Sequence, residues 1–233
     1  VRARIQAAAR ASWRDPEAIT LVAVSKTFPA EDVIEAVVDA IDAGLAHFGK
    51  NKVQEAEAKI PIVASARTAR PEWQLIGHLQ SNKAGKAVEL FDLIHSIDST
   101  SLAQAVARRA GMIGKRQRVL LQVNCSGEAQ KSGCEPDDAA DVARAIAGHT
   151  ELALEGLMTI GPLDDDPGSA RPAFRQLREL RDRISAQLGL PLPHLSMGMT
   201  GDLEVAIAEG ATIVRVGSAL FGQRPAPGAA GKT

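Results

Sequence analysis

Short apolar runs alternate along this chain with longer stretches whose apolar positions recur at three- and four-residue spacing. The short runs read as buried strands at Leu21–Ser25, Ala46–Gly49, Trp73–Gly77, Leu93–Ser96, Val119–Asn124, Leu154–Thr159, His194–Ser196 and Ile213–Gly217. The stretches between them carry a helical period: Glu31–Ala43, Lys52–Ile60, Lys83–Leu90, Ser101–Ala110, Asp137–Ala147, Ala170–Leu188 and Leu203–Ala208. Eight strands, each followed by a helix or a turn of helix, give the count of an α/β protein of the (β/α)8 TIM-barrel class. An extra N-terminal helix, Ile5–Ser12, precedes the first strand. A doubly wound open sheet competes with this reading. It usually opens on a glycine-rich turn after the first strand, where this chain has Ser25-Lys26-Thr27, so the barrel is favoured. No Pro/Gly/Ser linker divides the chain, so residues 1–222 are expected to form one domain. Residues 223–233, low in hydrophobic bulk, are expected to be a disordered tail.

Composition narrows the function. With 233 residues, 45% of them hydrophobic, the chain can bury one large core. A formal net charge of -1 gives no electrostatic reason to expect nucleic acid or an anionic membrane. The basic stretches, including Arg171 to Arg183, read as solvated helix faces. Two cysteines, Cys125 and Cys134, do not make a disulfide scaffold or a zinc site, although a single bond between them stays open. No run has membrane-spanning length and no signal-peptide h-region is present, so a cytoplasmic protein is the default.

Candidate chemistry gathers at the strand ends, which a barrel turns to one face. Lys26 ends the first strand. Burial there would lower its pKa and make the amine a nucleophile for a carbonyl; the plainer alternative is a lysine that snorkels to water. After the seventh strand, Ser196-Met197-Gly198-Met199-Thr200-Gly201-Asp202 offers hydroxyls and glycine backbone before a helix. Gly217-Ser218-Ala219 does the same after the eighth. Unpaired amides and hydroxyls at helix starts suit a phosphate dianion, though Thr200 or Ser218 could simply cap its own helix. Arg215 falls inside an otherwise Ile/Val strand, on the face opposite Val214 and Val216. Pointing into the mouth, it would need an acceptor such as a heteroaromatic nitrogen; an ion pair with Asp202 or Glu204 is the alternative. A reactive lysine, a phosphate cradle and a mouth-facing arginine together describe pyridoxal 5′-phosphate (PLP) held as a Schiff base.

Val24-Ser25-Lys26-Thr27, His47 to Glu55, Ile76 to Lys83, Gln130-Lys131-Ser132-Gly133, Gly156 to Ile160, Leu195 to Thr200 and Val214 to Gly222 resemble the pyridoxal phosphate homeostasis protein family. The resemblance runs in order from about residue 20 to residue 222 and implies the barrel of the alanine racemase N-terminal domain. It implies that Lys26 carries the cofactor and that Arg215 faces the ring nitrogen. Thr200, Gly217 and Ser218 would hold the phosphate, Asn51 would line the ring pocket, and Ser196-Met197 would close it. One departure concerns the rim: where the family usually has Phe-Gly-Glu-Asn, this chain has Phe48-Gly49-Lys50-Asn51.

Two functions use PLP at such a site; a third reading, a barrel that binds another phosphorylated metabolite with Lys26 as an aldolase-type Schiff base, explains the phosphate loops but accounts less economically for Arg215. One is a monomeric carrier that buffers PLP and delivers it to apo-enzymes, with effects on amino-acid and keto-acid pools. The other is a PLP-dependent amino-acid racemase. A two-base racemase of the related type uses a lysine and a tyrosine, the latter from a second domain. This chain has no tyrosine, and a second domain is not expected. His78 or Cys125 would have to substitute, so the carrier is favoured.

Overall fold

Eight parallel strands close on themselves in chain order: β1 (Thr20–Val24), β2 (His47–Lys50), β3 (Glu72–Leu75), β4 (Leu93–Ile97), β5 (Gln117–Gln122), β6 (Leu152–Met158), β7 (His194–Ser196) and β8 (Ile213–Val216). The computed structural model describes residues 1–25, 37–66, 70–128, 130–162, 164 and 166–222. Lys26, the expected helix start at Glu31 and the expected tail all lie outside these residues. The barrel closes where β1 meets β8, in register from Thr20↔Ile213 to Ala23↔Val216. Helix α1 (Arg2–Ala11) precedes β1, and a helical stretch at residues 37–42 (α2) precedes β2. Then follow α3 (Val53–Ala66), α4 (Ala84–Leu90), α5 (Thr100–Met112), α6 (Ala139–Ala147), α7 (Arg171–Leu188), α8 (Leu203–Ala208) and α9 (Ser218–Phe221). This is the expected barrel with its extra first helix.

Strand alternation divides the core in two. Ala23, Phe48, Leu75, Ile94, Leu121, Leu157, Leu195 and Val214 belong to the large cluster between barrel and helices. Val22, Leu93, Leu120, Met158 and Ile213 pack separately inside the barrel. That inner apolar layer is thin, because its neighbours along the strands are polar. At the N-terminal ends, Arg118 pairs with Glu72 at 3.1 Å and with Glu155 at 2.9 Å. Hence β3 begins at Glu72 and β5 at Gln117, earlier than an apolar-run reading places them.

The basic stretch of α7 is only partly a solvated face. Arg171, Arg175 and Arg178 all turn to Glu209, at 2.8, 3.4 and 3.0 Å, and Glu209 is buried. The two cysteines are free thiols.

Two bulges reset the strand phase. Val119 pairs with Leu154 but Leu120 with Gly156, so Glu155 is an extra residue in β6. In β4, Ile94 pairs with Val119 and Ile97 with Leu121. Gly156 makes the first bulge possible: a Cβ there would lie 2.0 Å from the carbonyl oxygen of His194.

Lys50 is not at the rim. It is fully buried, its ammonium 2.7 Å from Ser25 Oγ and 5.8 Å from the centre of the Trp73 ring. Burial pushes its pKa down to about 8; Glu55 opposes the shift, but that carboxylate already holds Lys59 at 2.7 Å. The lysine at which the chain departs from the resembled Phe-Gly-Glu-Asn pattern thus lies behind the barrel wall.

Two stability predictions follow from this packing. Gly156→Ala should lower unfolding stability by about 2–4 kcal/mol, since the clash is with backbone that cannot yield; denaturant unfolding reads it directly. Lys50→Met should stabilise the protein at pH 7 by about 1–2 kcal/mol, because a buried, weakly compensated cation costs more than the lost serine bond returns. A folded pKa below the unfolded one means the native state binds the proton less well, so the cost is complete below about pH 8. It fades as pH rises toward the ordinary lysine value of 10.5, and the advantage of Lys50→Met should shrink over that window.

Candidate functional site

β8 carries Arg215 to the carboxyl end of the barrel on the inward face, between outward-facing Val214 and Val216. Its guanidinium is buried, with Nη1 donating to Ser196 Oγ at 2.6 Å and Nη2 to the carbonyl oxygen of Thr159 at 2.8 Å. Burial pushes its pKa down to about 10, against the opposing field of Asp202, so it stays protonated near neutrality. The ion-pair alternatives fall away. Glu204 is held by Arg4 at 2.7 Å, and Asp202 Oδ1 accepts from the backbone N–H of Met199. Both hydrogen-bond partners of Arg215 among the described residues are neutral oxygens, which leaves three of its five N–H donors for other acceptors.

Behind Ser196 lies a side chain that the sequence reading passed over. His95 of β4 is fully buried, with Nδ1 2.9 Å from Ser196 Oγ and Nε2 2.8 Å from Gln74 Oε1. Burial first, then the charge of Arg215, hold the imidazole well below its ordinary pKa, so it is neutral. Gln74 Nε2 donates to Glu72 Oε1 at 2.9 Å, and Glu72 is held down at about 2 chiefly by His47, whose Nδ1 lies 3.7 Å away, and further by Arg118. The inward phase of Leu93 predicts an inward His95 two residues on, but the strand-end reading stopped at Ser96.

The loops after β7 and β8 meet through their hydroxyls. Ser218 Oγ donates to Thr200 Oγ1 at 3.1 Å. Neither residue caps its own helix: α8 has Asp202 at its N-cap and α9 has Gly217, and no side-chain cap bond forms at either. Gly198, at φ 96°, brings the loop against α8, where a Cβ would lie 2.6 Å from Ala206 Cβ. Arg4 of α1 fastens the same loop, donating from Nη2 to the carbonyl oxygen of Thr200 at 2.9 Å. Nothing local in the sequence near Arg4 signals that contact, which spans the chain.

The remaining predicted residues divide. Ser196 is buried with Arg215, whereas the Met197 side chain is fully buried in the outer core. Gly217 is buried directly before the exposed Ser218. Asn51 is exposed after β2 and lines a cavity of about 520 Å³ with His78 and Lys83. Its backbone crowds Gly77 so closely that a Cβ there would lie 2.3 Å from Asn51 O. Lys26 lies outside the described residues, one position after Ser25. Burial raises the Cys125 thiol to about 11 and the Cys134 thiol to about 12, which keeps both protonated at neutral pH.

Comparison with known proteins agrees with this geometry. The family described as alanine racemase, N-terminal domain, matches residues 1–225. A pyridoxal phosphate homeostasis protein of Pseudomonas aeruginosa is 46% identical over 226 residues, 96% of this chain and 93% of that protein. PipY of Synechococcus elongatus, solved with PLP bound, superposes with a TM-score of 0.80 at 38% identity, covering 95% of this chain and 100% of that one. Alanine racemase of Clostridium difficile shares the fold alone, with a TM-score of 0.72 at 13% identity over 97% of this chain and 56% of that one. The chain belongs to the pyridoxal phosphate homeostasis protein family, built on the barrel of the alanine racemase N-terminal domain.

Proposed function

We propose that this protein holds PLP covalently through Lys26 and buffers and delivers the cofactor in the cytoplasm, acting as a single copy with apo-enzymes as acceptors. The observation that carries the reading is Arg215, a buried strand-end cation whose hydrogen-bond partners are both neutral. The donor set fits the cofactor: guanidinium N–H groups suit a ring nitrogen, and the Thr200 and Ser218 hydroxyls, 3.1 Å apart, suit a phosphate. Family membership and the PLP-bound relative PipY support the same ligand. Bound, the cofactor supplies a carbonyl for amines and an electron-withdrawing ring.

In this reading the PLP-binding unit is the barrel of residues 1–222. Lys26 provides the attachment and Arg215 orients the ring through its nitrogen. Thr200, Ser218 and the Gly217 backbone anchor the phosphate, and Asn51 borders the ring. Ser196 acts through Arg215, and Met197 contributes its backbone, since its side chain is spent on the outer core.

Two properties favour carriage over racemisation. A charged arginine donor leaves a ring nitrogen unprotonated, which weakens the ring as an electron sink. A second base is also wanting: the chain has no tyrosine, and the Cys125 thiol is held up at about 11 by burial.

Lys26→Ala should abolish the absorbance of bound cofactor and its fixation by borohydride while circular dichroism stays native; a chromophore still fixed by borohydride would overturn the attachment. Thr200→Ala and Ser218→Ala should each weaken PLP retention by about 1–3 kcal/mol without a like effect on pyridoxal. Equal affinity for the two ligands in the parent protein would remove the phosphate role. The loaded protein should exchange the α-proton of L-alanine in deuterated water far below the typical turnover of about 1–10³ s⁻¹, yet restore activity to a PLP-dependent apo-enzyme. Rapid exchange with racemic product would make it an enzyme instead.

A further inference from the structure

Arg215 feels the field of Asp202 but makes no hydrogen bond to it, and a single file of hydrogen bonds leads from its guanidinium across the barrel to the carboxylate of Glu72. It runs from Arg215 to Ser196 at 2.6 Å, to His95 at 2.9 Å, to Gln74 at 2.8 Å and to Glu72 at 2.9 Å. The direction of every proton in that file can be deduced from its far end. An ionised carboxylate only accepts, so Gln74 turns its amide nitrogen to Glu72 and its carbonyl oxygen to His95. A carbonyl oxygen also only accepts, so His95 carries its hydrogen on Nε2 and presents a bare Nδ1. Ser196 must then give its one hydroxyl hydrogen to that Nδ1, and its oxygen lone pairs face the Arg215 N–H.

We propose that His95 is a positioning residue which, by fixing the Ser196 hydroxyl as an acceptor, locks Arg215 as a hydrogen-bond donor toward the ring nitrogen of PLP. The proposal rests on the role given to Arg215 above and adds residues that role did not include. Were His95 doubly protonated, its Nδ1–H would donate to Ser196 Oγ, the serine hydrogen would have to leave that direction, and a second cation would stand one hydroxyl away from Arg215. Each bond in the file points the same way, from cation to anion, so the members polarise one another. Glu72 is in turn held by Arg118 at 3.1 Å, which fixes the terminus of the file. The arrangement compensates a buried cation without placing a carboxylate against it, and so leaves the remaining guanidinium hydrogens to a ligand. No member of the file is free to hand a proton to the ring.

Two measurements test this, one of them without cofactor. In the cofactor-free protein, long-range proton–nitrogen NMR of labelled histidine should show His95 as the Nε2–H tautomer, unchanged from pH 8 to pH 5. An Nδ1–H tautomer, or titration near the ordinary histidine pKa, would overturn the proposal whatever the protein binds. In the second, PLP is compared with its analogue in which carbon replaces the ring nitrogen. The parent protein should prefer PLP by about tenfold, the scale of one charge-assisted hydrogen bond, and His95→Leu should erase the preference. General damage would weaken both ligands alike, so a preference retained in His95→Leu would overturn the proposal. Ser196→Ala takes its place if His95→Leu does not fold. A parent protein that binds neither ligand would refute the cofactor reading, while the NMR result would still decide the state of His95.

Discussion

A guanidinium buried at the end of β8 has to be compensated inside a closed barrel, and much of the interior is arranged around that requirement. A contacting carboxylate would neutralise Arg215 at once but would occupy the mouth. The barrel instead spends inward positions of β3, β4 and β7 on Gln74, His95 and Ser196, and ends the file on Glu72. These polar side chains displace apolar ones, which is why the inner cluster holds only Val22, Leu93, Leu120, Met158 and Ile213. Stability therefore falls chiefly to the outer layer, where helices cover Phe48, Trp73, Phe91 and Phe174.

The barrel was legible in the sequence because the outward faces of parallel strands are apolar and the helices between them keep a regular period. All eight strands appear where apolar runs stand. Their edges were not legible where polar residues open a strand: the apolar runs begin at Trp73 and Val119, whereas β3 begins at Glu72 and β5 at Gln117. Phase was lost at the bulges, since strict alternation through β4 or β6 cannot anticipate the register shifts at Ile94/Ile97 and Val119/Leu120.

The site divides the same way. A lone arginine in an Ile/Val strand stands out, and hydroxyls before helices at the last two strands are local signals, so the placement of Arg215, Thr200 and Ser218 at one end of the barrel was readable. His95 looks like any strand histidine until β7 is placed opposite it, 101 residues away in the chain. Lys50 misled for the opposite reason: its neighbours in sequence are rim residues, but one step of strand pleat turns it behind the wall onto Trp73. Asn51, one residue on, is exposed after β2.

The grip of Arg4 on Thr200 and Glu204 has a bearing on how the protein is made. Synthesis delivers α1 first, yet its partners on the β7–α8 loop emerge 196 and 200 residues later. Closure of β1 on β8 is equally late. Both events join segments nearly 200 residues apart, and contacts of such sequence separation form slowly. A nascent chain that has most of its strands therefore has neither a closed mouth nor a braced hydroxyl pair. A ligand that needs both the barrel mouth and the hydroxyl pair thus has its site only once β8 and the loop after it have been made.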